Sequence, residues 1–205
     1  QSYAATGSNG DMFNVMGATG GQGGMTVEVL KSAREVSYLL DNMDPAEAAK
    51  YQYIKHMFSP ILVYLGMFDT DMYGDMPYTE AVMARYTNPM LLTPKFDTME
   101  ELYTIWYDQL VEAVNVLSNP VTVNGTQITQ TALGAQDFVY GGNAAKWAKF
   151  ANSLKLKLAV RLLHQNKAKA LAIAKEAAAN PAGLMTSLND DFVYNKGSQE
   201  YHFGD

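Results

Sequence analysis

Acids set at short intervals are the first candidates for chemistry in this chain. The run Asp69-x-Asp71-x-Tyr73-Gly74-x5-Glu80 places several of them where a calcium loop needs them. An EF-hand loop carries carboxylates at its first, third and twelfth positions and glycine at its sixth; Asp69, Asp71, Glu80 and Gly74 fill those places. Tyr73 stands at the fifth position, where an oxygen ligand belongs, and Pro77 stiffens the second half. The plainer expectation is a helix terminus with an acidic turn and no metal. The same acids could form a glycosidase pair, since two carboxyls about 5–10 Å apart serve that reaction. Solvation and turn chemistry account equally well for Asp69, Asp71 and Asp75, and a loop accounts for Asp190 and Asp191. His56, His164 and His202 are scattered, without a His-Glu-x-x-His zinc motif. No G-x-S-x-G elbow occurs, and Gly17 to Gly24 lack the Lys-Ser/Thr ending of a phosphate-binding loop. These residues point to recognition without catalysis or cofactor.

Recognition could rest on aromatic rings, of which the chain has 13 Tyr, 8 Phe and 2 Trp. Sugars lay their C–H faces on such rings while amides and acids bond their hydroxyls. Trp106 and Trp147 fall on apolar helical stripes, so both are expected in the core. Tyr78 and Tyr86, with Asn88, lie on a connecting segment, where ligand contacts concentrate. These three are the candidate ligand-binding residues; the competing reading is a loop tyrosine folded back onto the helices.

Five helices must position that segment. The first runs from Thr26 to about Asn42, with Val29, Ala33, Val36 and Leu40 on one face. The second starts where Asp44 caps, Pro45 takes the first turn and Glu47 completes a capping box. It turns Ala48, Tyr51, Ile54, Phe58, Leu62, Leu65 and Phe68 inward and stops at Gly74 and Pro77, with Pro60 expected to bend or split it. Overlapping caps at Asp97-Thr98 and Glu100-Glu101 open the third, which buries Met99, Leu102, Tyr103, Trp106, Leu110, Ala113 and Leu117. Asn124-Gly125 within Val121 to Thr129 signals a small hairpin. The fourth helix buries Trp147, Phe150, Ala151, Leu154, Leu158 and Leu162, and Asn166 is expected to close it in the left-handed conformation. The fifth, from about Ala168 to Ala179, is slim enough for close packing, and Asn180-Pro181 ends it. Residues 1–24 are glycine-rich and read as an irregular lead-in, while the tail from Met185 to Asp205 carries no long periodic element. Helices of comparable length in pairs are the habit of repeat proteins, whose units bury their faces by stacking.

A length of 205 residues, 48% of them hydrophobic, suits one domain or most of one. The formal charge of −6 supplies no basic field for phosphate backbones, which argues against nucleic acid as a partner. With no cysteine, disulfides, thiolate zinc sites and thiol nucleophiles are excluded.

The run Tyr73-Gly-Asp-Met-Pro-Tyr-Thr-Glu-Ala81, followed by Ala145-Lys-Trp-Ala-Lys-Phe-Ala-Asn-Ser-Leu-Lys-Leu-Lys-Leu-Ala-Val-Arg161, resembles the amino-terminal part of SusD/RagB-like outer-membrane proteins. The likeness extends over roughly Val27 to Lys196, with Phe96-Asp97 before Leu102-Tyr103 and Asn189-Asp190-Asp191 as further shared points. It implies an all-α fold of tetratricopeptide-like paired helices with a small β-hairpin insertion, truncated here. Residues 25–205 then form the amino-terminal portion of a single SusD-like domain. The resemblance further implies a non-catalytic, cell-surface glycan- or nutrient-binding lipoprotein that delivers oligosaccharides to a SusC-like TonB-dependent transporter. Its lipid anchor in the outer membrane is absent from this chain. Two alternatives stand beside it: a helical-repeat protein-interaction scaffold without sugar binding, and a calcium-assisted glycoside hydrolase. The family's glycan contacts lie on variable loops, so the resemblance itself assigns no ligand residue.

Overall fold

The computed structural model describes residues 24–194. The lead-in through residue 23, and the end of the tail with His202, lie outside the described residues. Helix α1 spans Gly24–Asp41, α2 Pro45–Ala48, α3 Gln52–Tyr73, α4 Met99–Ser118, α5 Ala144–Leu162 and α6 Lys167–Ala179. A two-stranded hairpin, β1 Thr122–Val123 and β2 Thr126–Gln127, interrupts them. Asn124 and Gly125 form its turn with φ of 49° and 79°, the paired positive values a tight hairpin requires.

Helix α1 packs on α3, α3 on α4, α4 on α5 and α5 on α6, while α3 also reaches α5. The result is an all-α stack around one core in which Trp106, Leu110, Val63, Met67 and Leu158 are fully enclosed. Thr98 and Glu101 close the expected capping box on α4. The α4 stripe from Leu102 to Leu117 is buried as its spacing predicts, and only Met99, in the first turn, stays at the surface. Trp106 and Trp147 are both core residues.

The second expected helix departs from its prediction in three ways. Asp44 caps α2 by accepting from the Ala46 and Glu47 amides, but Glu47 bonds Lys50 instead of returning to the cap. The break falls at the 3₁₀ turn Ala49–Tyr51, and Pro60 lies inside the uninterrupted α3. Gln130 explains that position: its amide donates to the Ala49 carbonyl at 2.7 Å and accepts from the Tyr53 amide at 3.1 Å, while the Thr131 amide bonds the Lys50 carbonyl. Backbone groups that a helix would pair internally are taken by the segment after the hairpin.

The third departure is the buried face of α3, which is His56, Met57, Pro60, Leu62, Val63, Gly66, Met67, Asp69 and Thr70: of the expected stripe Leu62 is buried, whereas Phe68 is 42% exposed. Counting apolar residues misses a face that contains histidine, proline, glycine and threonine. Gly66 is there because Trp106 lies against it: a Cβ at that position would sit 2.5 Å from Trp106 Cζ2.

Asn166 does not close α5 in a left-handed conformation. Its φ is −149° and its side chain caps α6, accepting from the Lys169 amide at 3.0 Å. An asparagine between two helices can serve either neighbour, and the free amides at the start of α6 are the ones it meets.

Candidate functional site

The candidate ligand residues lie on the connector between α3 and α4, and Asp97 shapes that connector. Met76 and Asp97 pair through their backbones as an isolated antiparallel bridge. The fully buried Asp97 carboxylate accepts from the Tyr78 amide at 3.0 Å, the Thr79 amide at 2.7 Å, the Thr79 hydroxyl at 2.7 Å and the Lys95 ammonium at 3.0 Å. Burial pushes the carboxyl pKa upward, but the Thr79, Lys95 and Tyr78 bonds outweigh it and hold Asp97 below the usual carboxylate range. Helix α1 grips the same connector with consecutive residues. Arg34 donates from Nη2 to the Tyr78 and Thr79 carbonyls at 3.0 and 2.9 Å, and Glu35 accepts from the Tyr86 hydroxyl at 2.6 Å.

Tyr78 is therefore a core residue. It is 2% exposed, its ring meets Trp106 edge-on at 5.9 Å, and its hydroxyl donates to Gln109 at 2.7 Å. Burial pushes its phenol up to about 12. The ring is packed into the core, so Tyr78 positions the connector, and it also lines the cleft between α1, α3 and α4. Met76 and Tyr78, two residues apart and both buried, show the alternation of an extended segment, which is the signal in the sequence that could have placed Tyr78 inward.

Tyr86 and Asn88 reach the surface. Tyr86 is half-buried, pairs with the Tyr38 ring at 5.1 Å and 41°, and has the Arg85 guanidinium 5.8 Å from its centroid. Tyr38 is 43% exposed, and Arg85 also reaches Glu35 at 3.0 Å. Asn88 is exposed two residues farther on, joined to Pro89 by a cis peptide bond. Sequence reasoning singled out Tyr86 but missed Glu35, Tyr38 and Arg85. Only the fold brings α1 to the connector, although Glu35 and Tyr38, three apart, share an edge of one helix.

The acids of the calcium-like run scatter to separate structural tasks. Asp69 accepts from the Thr26 amide at 2.9 Å and hydroxyl at 2.6 Å, giving α1 the acidic partner that its own first turn lacks. Asp71 forms a two-pronged pair with Arg161 of α5, with Nη2 to Oδ2 at 2.6 Å, and that guanidinium holds its carboxyl below the usual range. Asp75 accepts from the Met99 amide, and Glu80 from the Lys95 amide. Among the described residues, no group of three or more histidine or acidic side chains is disposed to hold a metal ion. Asp190 organises another turn by accepting from the Thr186 and Ser187 amides and from Lys149. Asp137 does likewise with the Val139, Tyr140 and Gly142 amides and Trp147 Nε1, the last at 2.7 Å.

Comparison with known proteins places the chain. Residues 27–203 match the SusD-like family described as "Susd and RagB outer membrane lipoprotein", and the chain belongs to that family. A SusD homologue from Bacteroides vulgatus superposes with a TM-score of 0.65 at 25% identity, over 82% of this chain and 31% of its own. One from Bacteroides uniformis gives 0.59 at 29% identity, over 81% and 30%. A protein described as chitin-binding gives 0.59 at 26% identity, over 80% and 30%. The chain thus spans about a third of the length of these relatives. Among curated protein sequences, none matches it significantly.

Proposed function

We propose that the chain is the amino-terminal portion of a non-catalytic, lipid-anchored protein of the outer-membrane surface that captures glycans and passes them to a SusC-like TonB-dependent transporter. Family membership supports binding at the outer membrane, and the similarity to a chitin-binding relative supports a glycan as the cargo. The observation that carries the reading within this chain is the surface pair of the exposed Tyr38 and the half-buried Tyr86, edged by Glu35, Arg85 and Asn88. A sugar ring would lie on Tyr38, and its hydroxyls would meet the carboxylate, the guanidinium and the Asn88 amide. Desolvating those hydroxyls keeps the affinity near micromolar.

Calorimetric titration with neutral oligosaccharides, chitin fragments among them, tests this. Heat without product formation, lost in Tyr38→Ala, is the expected result; silence across the panel, or heat unchanged by that variant, refutes the Tyr38 platform.

One observation favours a second reading, a protein-contact surface. Tyr64, Phe68 and Met72 recur every fourth residue on α3 and are each more than 40% exposed, with Lys157 4.7 Å from the Tyr64 ring centroid. A Phe68→Glu variant that abolishes complex formation with the transporter but leaves glycan binding intact would establish that role.

A further inference from the structure

Between α1, α3 and α4 lies a cleft of about 200 Å³ whose chemistry differs from that of the rest of the chain. Its walls include Arg34, Ser37, Lys55, His56, Ser59 and Gln109, and the side chain of Glu112 stands at its edge, 66% exposed. The lining carries more cationic side chains than carboxylates. Arg34 commits Nη2 to the Tyr78 and Thr79 carbonyls, leaving Nη1 without a hydrogen bond among the described residues and Nε buried without a partner. The carboxylate nearest to Lys55 is Asp41, at 3.9 Å, beyond hydrogen-bond range. His56 spends Nδ1 on the Gln52 carbonyl at 2.7 Å and faces Glu112 through Nε2 at 3.3 Å. Within the lining two permanent cations thus meet one well-solvated carboxylate, Glu112, while Asp41, outside the lining, is the long-range ion partner of Lys55, in a chain of net charge −6.

The size and the remaining walls narrow the ligand further. The cleft measures about 200 Å³. That is small beside the roughly 300–1,000 Å³ of sites for larger ligands and suits a single sugar-sized molecule. Phe58 and Leu62 supply an apolar wall, while Ser37, Ser59 and Gln109 offer neutral hydrogen-bonding groups. A charged ligand with hydroxyls on one side and C–H groups on the other matches all three sets.

We infer that this cleft binds a small hydroxylated carboxylate, one sugar acid in size. Its carboxylate sits on Arg34 and Lys55, its hydroxyls on the serines and Gln109, and its C–H face on Phe58. The inference extends the capture reading to a charged ligand at a second place, and the two can fail separately.

The test is titration of the 205-residue chain with D-glucuronate, D-glucose and acetate, followed by calorimetry and amide chemical shifts. Saturable glucuronate binding is expected, with both controls at least about tenfold weaker and with attenuation by salt, as for a charge-assisted contact. Arg34→Gln also loosens the connector, so the decisive variant is Lys55→Gln, which removes a cation whose one ion pair, to the largely exposed Asp41 at 3.9 Å, contributes little to stability. It should weaken glucuronate roughly tenfold with an unchanged Tm. Glucose or acetate binding as well as glucuronate, or Lys55→Gln binding like the parent, overturns the inference. Tyr38→Ala separates the two readings, because it should abolish neutral-glycan heat and leave glucuronate untouched.

Discussion

Asp97→Asn isolates what a single buried carboxylate does for the connector. The substitution keeps size and shape but leaves one acceptor oxygen where two received the Tyr78 amide, the Thr79 amide, the Thr79 hydroxyl and Lys95. The Thr79 hydroxyl can rotate to accept from the new amide, and Lys95, which is largely exposed, can turn to water. The remaining bonds fall from the charged to the neutral class, a loss of about 1 kcal/mol each, so the total is roughly 2–4 kcal/mol. For a chain of this size that corresponds to a fall in Tm of roughly 5–15 °C. Urea unfolding read by tryptophan fluorescence measures the free energy, and trypsin measures the connector through cleavage at Arg85 and Lys95.

The pH dependence of the difference follows from the same bonds. Asp97 has its folded pKa below the unfolded value near 3.9, so its contribution is complete above that value and is lost as pH falls through the folded one. Parent and variant should differ by a constant amount above about pH 5 and converge in acid. A loss under about 1 kcal/mol, or a gap that widens in acid, would refute the reasoning.

Other perturbations test other joints. Gly66→Ala gains about 1 kcal/mol of helix propensity but drives a methyl into Trp106, so a net loss of about 1–2 kcal/mol in urea melts is expected. Asp137→Ala removes the acceptor of Trp147 Nε1 and of three amides; a loss of about 3 kcal/mol should accompany a shift in tryptophan emission, and unchanged emission would count against that bond. Asn166→Ala should cost about 1 kcal/mol by uncapping α6, seen as lower helicity at the same temperature. In ultraviolet titration, Tyr78 and Tyr140 should stay protonated to about pH 12, because burial raises both; full ionisation of all tyrosines near pH 10 with native circular dichroism would contradict their burial.

Local chemistry was the legible part of the sequence. The Thr98–Glu101 box, the Asn124-Gly125 turn and the α4 stripe each depend on residues within a few positions of one another, and each formed as its spacing predicts. What could not be read depends on distant partners. Gln130 decides where the second helix breaks, Trp106 decides that Gly66 faces inward, and Asp97 decides that Tyr78 does too. The candidate surface shows the same division. Tyr86 and Asn88 stood out as polar and aromatic residues on a connector, while Tyr38 and Glu35 belong to it only because α1 lies alongside. The acids divide in a related way: their spacing imitates one ligand cluster, yet each serves a different element.

The two-pronged contact between Asp71 and Arg161 joins residues 90 positions apart, with α4 and the hairpin lying between them. A loop of that length closes late, after the neighbouring helices have already paired. The pair therefore acts as a latch on the finished molecule and contributes little to its nucleation. Substituting Asp71 should hasten unfolding while leaving the refolding rate nearly untouched. Persistence of the folded chain would then be governed by how slowly this latch opens, more than by how quickly the helices assemble.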